Sequence, residues 1–188
     1  MKIRDEKIQE NIIRATEKLY LKNGINGWNM DTVARESGLA KNTLYKIIGS
    51  KEHLVVTIVI GRLQHNVDEI VGIFDREKDF VKAVETGAHR LARSISMDNP
   101  LALPAVFREY PSIKETFDEI SRKLSTSIHR HLNRARKAGI IRKDVDNDIL
   151  ISMVTAIINY HLTGNWKGKE FEDRLYTSFM YLLKGILR

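Results

Sequence analysis

Apolar residues recur every three or four positions along most of this chain, the spacing that gives an α-helix one buried face. Ile8, Ile12, Ala15 and Leu19 form the first such stripe and predict a helix from about Asp5 to Asn23, stopped by Gly24. Two much shorter helical patterns follow, MDTVARES and AKNTLYKI, separated by Gly38 and ended by Gly49. Leu54, Ile58, Val59, Leu63, Val67, Ile70 and Val71 then mark a long helix opened by Ser50 and reaching about Phe74. Phe80, Val84, Ala88, Leu91 and Ile95 mark another over Phe80–Met97, with Gly87 on its stripe, where it permits close packing or leaves room for a ligand. The three prolines, Pro100, Pro104 and Pro111, fall in one window and predict only a short, broken helix near Leu101–Arg108. Ile113, Phe117, Ile120, Leu124, Ile128 and Leu132 predict a long helix over Ser112–Ala138, ended by Gly139. Two last helices are expected at Asn147–Gly164, capped by Asp146, and at Glu170–Leu187, giving an all-α fold of about nine helices.

The stretch Met30–Leu54 organises the rest. Two short helices joined by a tight glycine-containing turn describe a helix-turn-helix, whose second helix enters the DNA major groove. Within AKNTLYK, Leu44 is expected to face inward, leaving Lys41, Asn42, Thr43, Tyr45 and Lys46 outside. Asn29 is placed to cap the first of the two helices.

Composition adds a partner and a compartment. The net charge of +7 suits a polyanion, although the excess is spread along the chain and does not locate the site. Without cysteine there is no disulfide or thiolate metal site, and a reducing cytoplasm is the plain reading. The charged N-terminus MKIRDEKIQEN has no signal-peptide core, and no apolar run is long enough for a membrane helix, so no membrane partner is expected.

Ala15, Leu19–Tyr20, Gly24, Val33–Ala34, Ser37–Gly38–Leu39, Thr43–Leu44–Tyr45, Gly49–Ser50–Lys51–Glu52 and Leu54 stand together in order and spacing. In these residues the chain resembles the N-terminal domain of the tetracycline-repressor (TetR) family. The resemblance implies a DNA-binding domain over residues 1–49 and a helical effector-binding and dimerisation domain over 50–188. It places Lys41, Asn42 and Thr43 at base and nearby phosphate contacts, Tyr45 at a phosphate, and Lys51 at a phosphate clamp. Lys46 adds a further basic contact. Asn42 departs from the small residue common in the family, and its amide can pair bidentately with adenine. Ala40, Ile47 and Trp28 depart too, the last replacing a small hydroxyl residue, so Trp28 is expected to pack rather than touch phosphate.

By the same resemblance the chain is a homodimer on a palindromic double-stranded operator. Its wide apolar faces on the last two helices are expected to pair with those of a second copy, through Ile149, Met153, Ile157, His161, Leu175, Phe179 and Leu182. A small-molecule effector, apolar or aromatic, is expected between the fourth and seventh helices, with Phe74, Met97, Phe107, Tyr110 and Phe117 as candidate lining. The function expected is a ligand-responsive transcriptional repressor without a cofactor; the alternative is an effector-independent, DNA-bound structural or interaction protein.

An enzyme is not expected. The run Asp144–Val145–Asp146–Asn147–Asp148 starts like a calcium loop, but Ile149 and Thr155 stand where that loop needs glycine and glutamate. His129 and His131 point to different sides of one helix and make poor joint metal ligands. His89 and His161 are lone helical histidines, and no nucleotide-binding or hydrolase motif is present.

Overall fold

The computed structural model describes residues 2–98, 103–164 and 166–188, and the side chains of 6–96, 106–164 and 166–188 among them. Nine helices and no strand occur among the described residues. They are α1 (Lys2–Asn23), α2 (Met30–Ser37), α3 (Lys41–Ile48), α4 (Lys51–Arg76), α5 (Phe80–Asp98), α6 (Leu103–Glu109), α7 (Pro111–Lys137), α8 (Asn147–Thr163) and α9 (Gly168–Ile186). The all-α expectation therefore holds. Leu101, at the start of the expected broken helix, lies outside the described residues.

The chain divides into two compact units, Met1–Leu63 with Ala102–Phe117, and Gln64–Leu101 with Asp118–Arg188. The first unit is held by a core in which Ile12, Val33, Leu44, Leu54 and Ile113 have no solvent exposure. Burying one such side chain stabilises by about 1.5–3 kcal/mol. Val106 and Tyr110 belong to the same core, so the proline-bounded segment packs with the residues of α1–α4. Asn11 on α1 donates to the Ser37 carbonyl at the end of α2 (3.0 Å).

In the second unit α9 lies along α5. The small side chains of Ala88 and Ala92 accept Phe171, Leu175 and Phe179, all buried. A further cluster joins Phe80, Leu132, Ala135, Ile141, Leu150 and Leu183. The C-terminus is tied back by Arg142 N–H to the Ile186 carbonyl (3.0 Å) and Arg188 N–H to the Ile140 carbonyl (3.1 Å). Asp146 caps α8: its carboxylate accepts from the backbone N–H groups of Asp148 and Ile149. The acidic run is thus used by the helix start.

Candidate nucleic-acid interface and effector cavity

The start of α2 and the turn between α2 and α3 are closed by local chemistry. Asn29 Oδ1 accepts from Thr32 N–H (3.0 Å) while Thr32 Oγ1 accepts from Asn29 N–H (3.0 Å), a reciprocal cap. Gly38 sits at φ 69°, in the left-handed region that a side chain disfavours. Its N–H and that of Leu39 close the end of α2 on the Arg35 and Ala34 carbonyls.

α3 is anchored by two residues and open at five. Leu44 and Ile48 are buried; Lys41, Asn42, Thr43, Tyr45 and Lys46 are exposed. Ala40, at the N-cap, makes no side-chain cap bond, so the first turn of α3 keeps backbone N–H groups without a side-chain acceptor. Ser50 Oγ caps α4 by accepting from His53 N–H (3.1 Å). Lys51, in the first turn of α4, lies over the Trp28 ring with its ammonium 4.9 Å from the centroid. Trp28 itself is buried, as its replacement of a small polar residue suggests. The structure thus groups the candidate DNA contacts on one helix and the following helix start. It adds one partner that sequence reasoning missed: Asp31 on α2, whose carboxylate holds Lys41 Nζ at 2.7 Å. That hydrogen bond and the attraction of the carboxylate raise the Lys41 pKa. Aspartate ten positions before a lysine carries no helical-spacing signal.

Residues 12–58 match the family model "Bacterial regulatory proteins, tetR family". Over these residues the chain is similar to the TetR family. An "Uncharacterized HTH-type transcriptional regulator" of Haemophilus influenzae is 24% identical over 159 residues, covering 80% of each chain. Solved structures share the fold across nearly the whole length. A TetR transcription regulator from Haloarcula marismortui aligns with TM-score 0.82 at 15% identity, covering 97% of this chain and 100% of that one. A TetR-family regulator from Mesorhizobium loti aligns with TM-score 0.76 at 18% identity, covering 98% and 99%. The transcriptional regulator FadR from Bacillus subtilis, solved in complex with stearoyl-CoA, aligns with TM-score 0.68 at 15% identity, covering 95% and 99%. The similarity to regulatory proteins in sequence lies in residues 12–58, and the solved structures extend the likeness in fold to nearly the whole chain.

The second unit holds an apolar cavity of about 130 Å³. Its walls come from α4 (Ile70, Phe74), α5, α7, α8 and α9. Of the candidate lining residues, Phe74 is on the wall. Phe107, Tyr110 and Phe117 are not, because they pack in the first unit: Phe107 and Phe117 meet edge to face at 5.2 Å, and Tyr110 lies in that unit's core. Burial, with a hydrogen bond to Glu109, pushes the Tyr110 phenol up to about 12. The side chain of Met97 lies outside the described residues. The cavity's other walls, α8 and α9, replace the α6 contribution expected from sequence. Gly87 lines the cavity, and a Cβ there would sit 3.2 Å from the Phe74 ring.

The expected dimer residues separate into two groups. Ile149 and Met153 are exposed, at 63% and 47%. Leu175, Phe179 and His161 are buried within this chain, Ile157 is half-buried against the same cluster as Leu175, and Leu182 lines the cavity. The sequence showed two apolar helices; α9 turns one face onto α5, and α8 turns one onto α9 and the cavity. His161 Nε2 bonds Ser178 Oγ across α8 and α9 (2.9 Å). Tyr160 and Tyr181, which the sequence reading did not single out, are exposed at 65% and 70%. Tyr160 stands seven residues after Met153, two turns along the same helical stripe.

No helix among the described residues is long and apolar enough to cross a membrane. No group of three or more metal-ligating side chains is assembled among them. His129 instead pairs with Asp148 (2.9 Å).

Proposed function

We propose that this chain is a homodimeric, ligand-responsive repressor in the cytoplasm, without catalysis of its own. It binds a palindromic operator and leaves it when a small apolar or aromatic molecule occupies the second-unit cavity. The observation that carries the DNA reading is α3: two buried anchors, Leu44 and Ile48, present five polar residues outward on a helix of the right length and position. In this reading Asn42 and Thr43 read bases, while Lys41, Tyr45, Lys46 and Lys51 hold phosphates. In this reading the functional division lies at 49/50, and Lys51, at the start of the helix that follows, is the one proposed DNA contact beyond it.

The second copy is supported by the exposed stripe Ile149, Met153, Ala156 and Tyr160 on α8, with Tyr181 on α9. An apolar stripe of this kind on a soluble chain calls for a cover. Two-fold pairing gives two recognition helices and hence a palindromic site.

The effector acts by linkage. A ligand that prefers one conformation and an operator that prefers another weaken each other by the same factor. The cavity favours this reading over an effector-independent, DNA-bound structural protein. One continuous helix, α4, carries Lys51 at its start and Ile70 and Phe74 on the cavity wall.

Selection of bound DNA from a random pool tests the proposal. Enrichment of a palindrome with half-sites about one DNA turn apart is expected. Binding without an enriched sequence overturns operator recognition, and an enriched single half-site overturns the dimer.

A further inference from the structure

Among the described residues lining the cavity, His131 on α7 is the one polar side chain; the rest are aliphatic, phenyl or glycine. The His131 side chain is buried, 6% exposed, and its ring stacks on Phe74 (4.9 Å between centroids) and Phe80 (5.1 Å). Arg134 Nη2 approaches His131 Nδ1 at 3.3 Å. A guanidinium only donates, so Nδ1 accepts and the neutral ring carries its proton on Nε2. Nε2 is buried and no protein group takes its proton in hydrogen-bond geometry. Burial and then the Arg134 charge lower the ring's pKa; hydrogen bonding toward the Phe80 backbone and the charge of Asp75 work in the opposite direction. The lowered pKa favours the neutral ring, and its Nε2 has no acceptor in good hydrogen-bond geometry.

A buried donor left without a partner keeps its desolvation cost until an acceptor arrives. A wall with no charged side chain penalises an ionised ligand, which would lose its water with nothing to replace it. The cavity volume is close to that of an engineered protein cavity of about 150 Å³ that binds benzene.

We propose that the cavity selects a small, uncharged, one-ring-sized molecule with a single hydrogen-bond acceptor, and that His131 Nε2–H is the residue atom that selects it. The inference rests on the reading of this cavity as a ligand site. Nε2 is itself covered, so the acceptor meets it by turning aside one of the surrounding side chains.

Titration of the full chain with acetophenone, ethylbenzene and benzoate, followed by calorimetry, tests this. The ketone and the hydrocarbon have similar size and differ by one acceptor. Acetophenone is expected to bind about tenfold tighter than ethylbenzene, and benzoate not at all. His131→Phe is expected to abolish the difference while retaining ethylbenzene, and His131→Gln, which keeps an N–H donor, to retain part of it. Equal affinity of the wild-type chain for the two neutral probes overturns the inference and leaves the cavity as a ligand site. Tightest binding of benzoate overturns it as well. If neither neutral probe binds, the inference and the reading beneath it both fall. The wild-type comparison decides even where His131→Phe does not fold.

Discussion

Lys41, the first residue of the recognition helix, is held by Asp31 of the preceding helix at 2.7 Å, and both side chains are more than half exposed. An exposed pair of this kind contributes little to folding because water screens it. On DNA it matters differently, since Lys41 must exchange a carboxylate for a phosphate or a base. Asp31→Asn is expected to raise DNA affinity a few-fold with an unchanged melting temperature. Lys41→Ala is expected to lower affinity and reduce the salt slope by about one. Fluorescence anisotropy over a salt series reads both, and an Asp31→Asn chain that binds no better would remove the competition from the account.

Tyr45 and Asn42 occupy the same exposed surface and are expected to fail differently. Tyr45→Phe should weaken binding to all DNA sequences alike, since a phosphate contact carries no base information. Asn42→Ala should relax preference at one operator position, at roughly 1–3 kcal/mol against the wrong base. Repeating the DNA selection with each variant measures this; an unchanged site for Asn42→Ala would take base reading away from that residue.

Leu44 and Leu175 each have no solvent exposure, in different units. Truncating either to alanine is expected to cost about 2–5 kcal/mol of stability. Chemical denaturation is the measurement. Leu44→Ala should abolish specific DNA binding as the recognition helix loses its anchor. Leu175→Ala should act on stability through the contact with α5, whether or not the chain dimerises.

Met153 and Tyr181 are expected to govern association. Charged replacements, Met153→Lys and Tyr181→Glu, should leave a folded monomer in analytical ultracentrifugation, because each side chain is exposed in the single chain. A dimer persisting in both variants would move the interface elsewhere.

Acid is expected to destabilise the second unit. The His131 and His161 pKa values are lowered from 6.5, first by burial and then by Arg134 and Arg174 respectively. A group with a lowered folded-state pKa contributes stability that is present above its unfolded value, here about 6.5, and lost as pH falls through the folded value. His129 has the opposite sign: the Ser125 carbonyl and then Asp148 raise its pKa, so its contribution is present at low pH and lost as pH rises through the folded value. Melting temperatures between pH 7.5 and 5 should fall on acidification, less steeply in His131→Phe and more steeply in His129→Gln. A His131→Phe profile parallel to the wild type would show that this ring is protonated freely in the folded chain.

The sequence by itself determined the helices, the helix-turn-helix and the orientation of α3, because those signals are local. Asn29 caps α2 three residues away, Gly38 turns the chain where it stands, and Leu44 and Ile48 mark one side of a two-turn helix. The motif at Gly49–Glu52 follows at fixed spacing, so the family was legible there too. Only the tertiary structure decided which apolar residues meet. Phe107, Tyr110 and Phe117 read as cavity lining, and they fill the first unit because Val106, Tyr110 and Ile113 complete its core. α8 and α9 are apolar on more than one side, so periodicity could not choose their inward face. Ala88 and Ala92 chose it, by leaving room on α5 for Phe171, Leu175 and Phe179. The same long-range packing set His131 against Phe74 and Phe80, some 50 residues or more away along the chain, and made an ordinary helical histidine the one polar wall of the cavity among the described residues. Burial is a property of partners, and partners distant in sequence leave no mark on the spacing of the residues they cover.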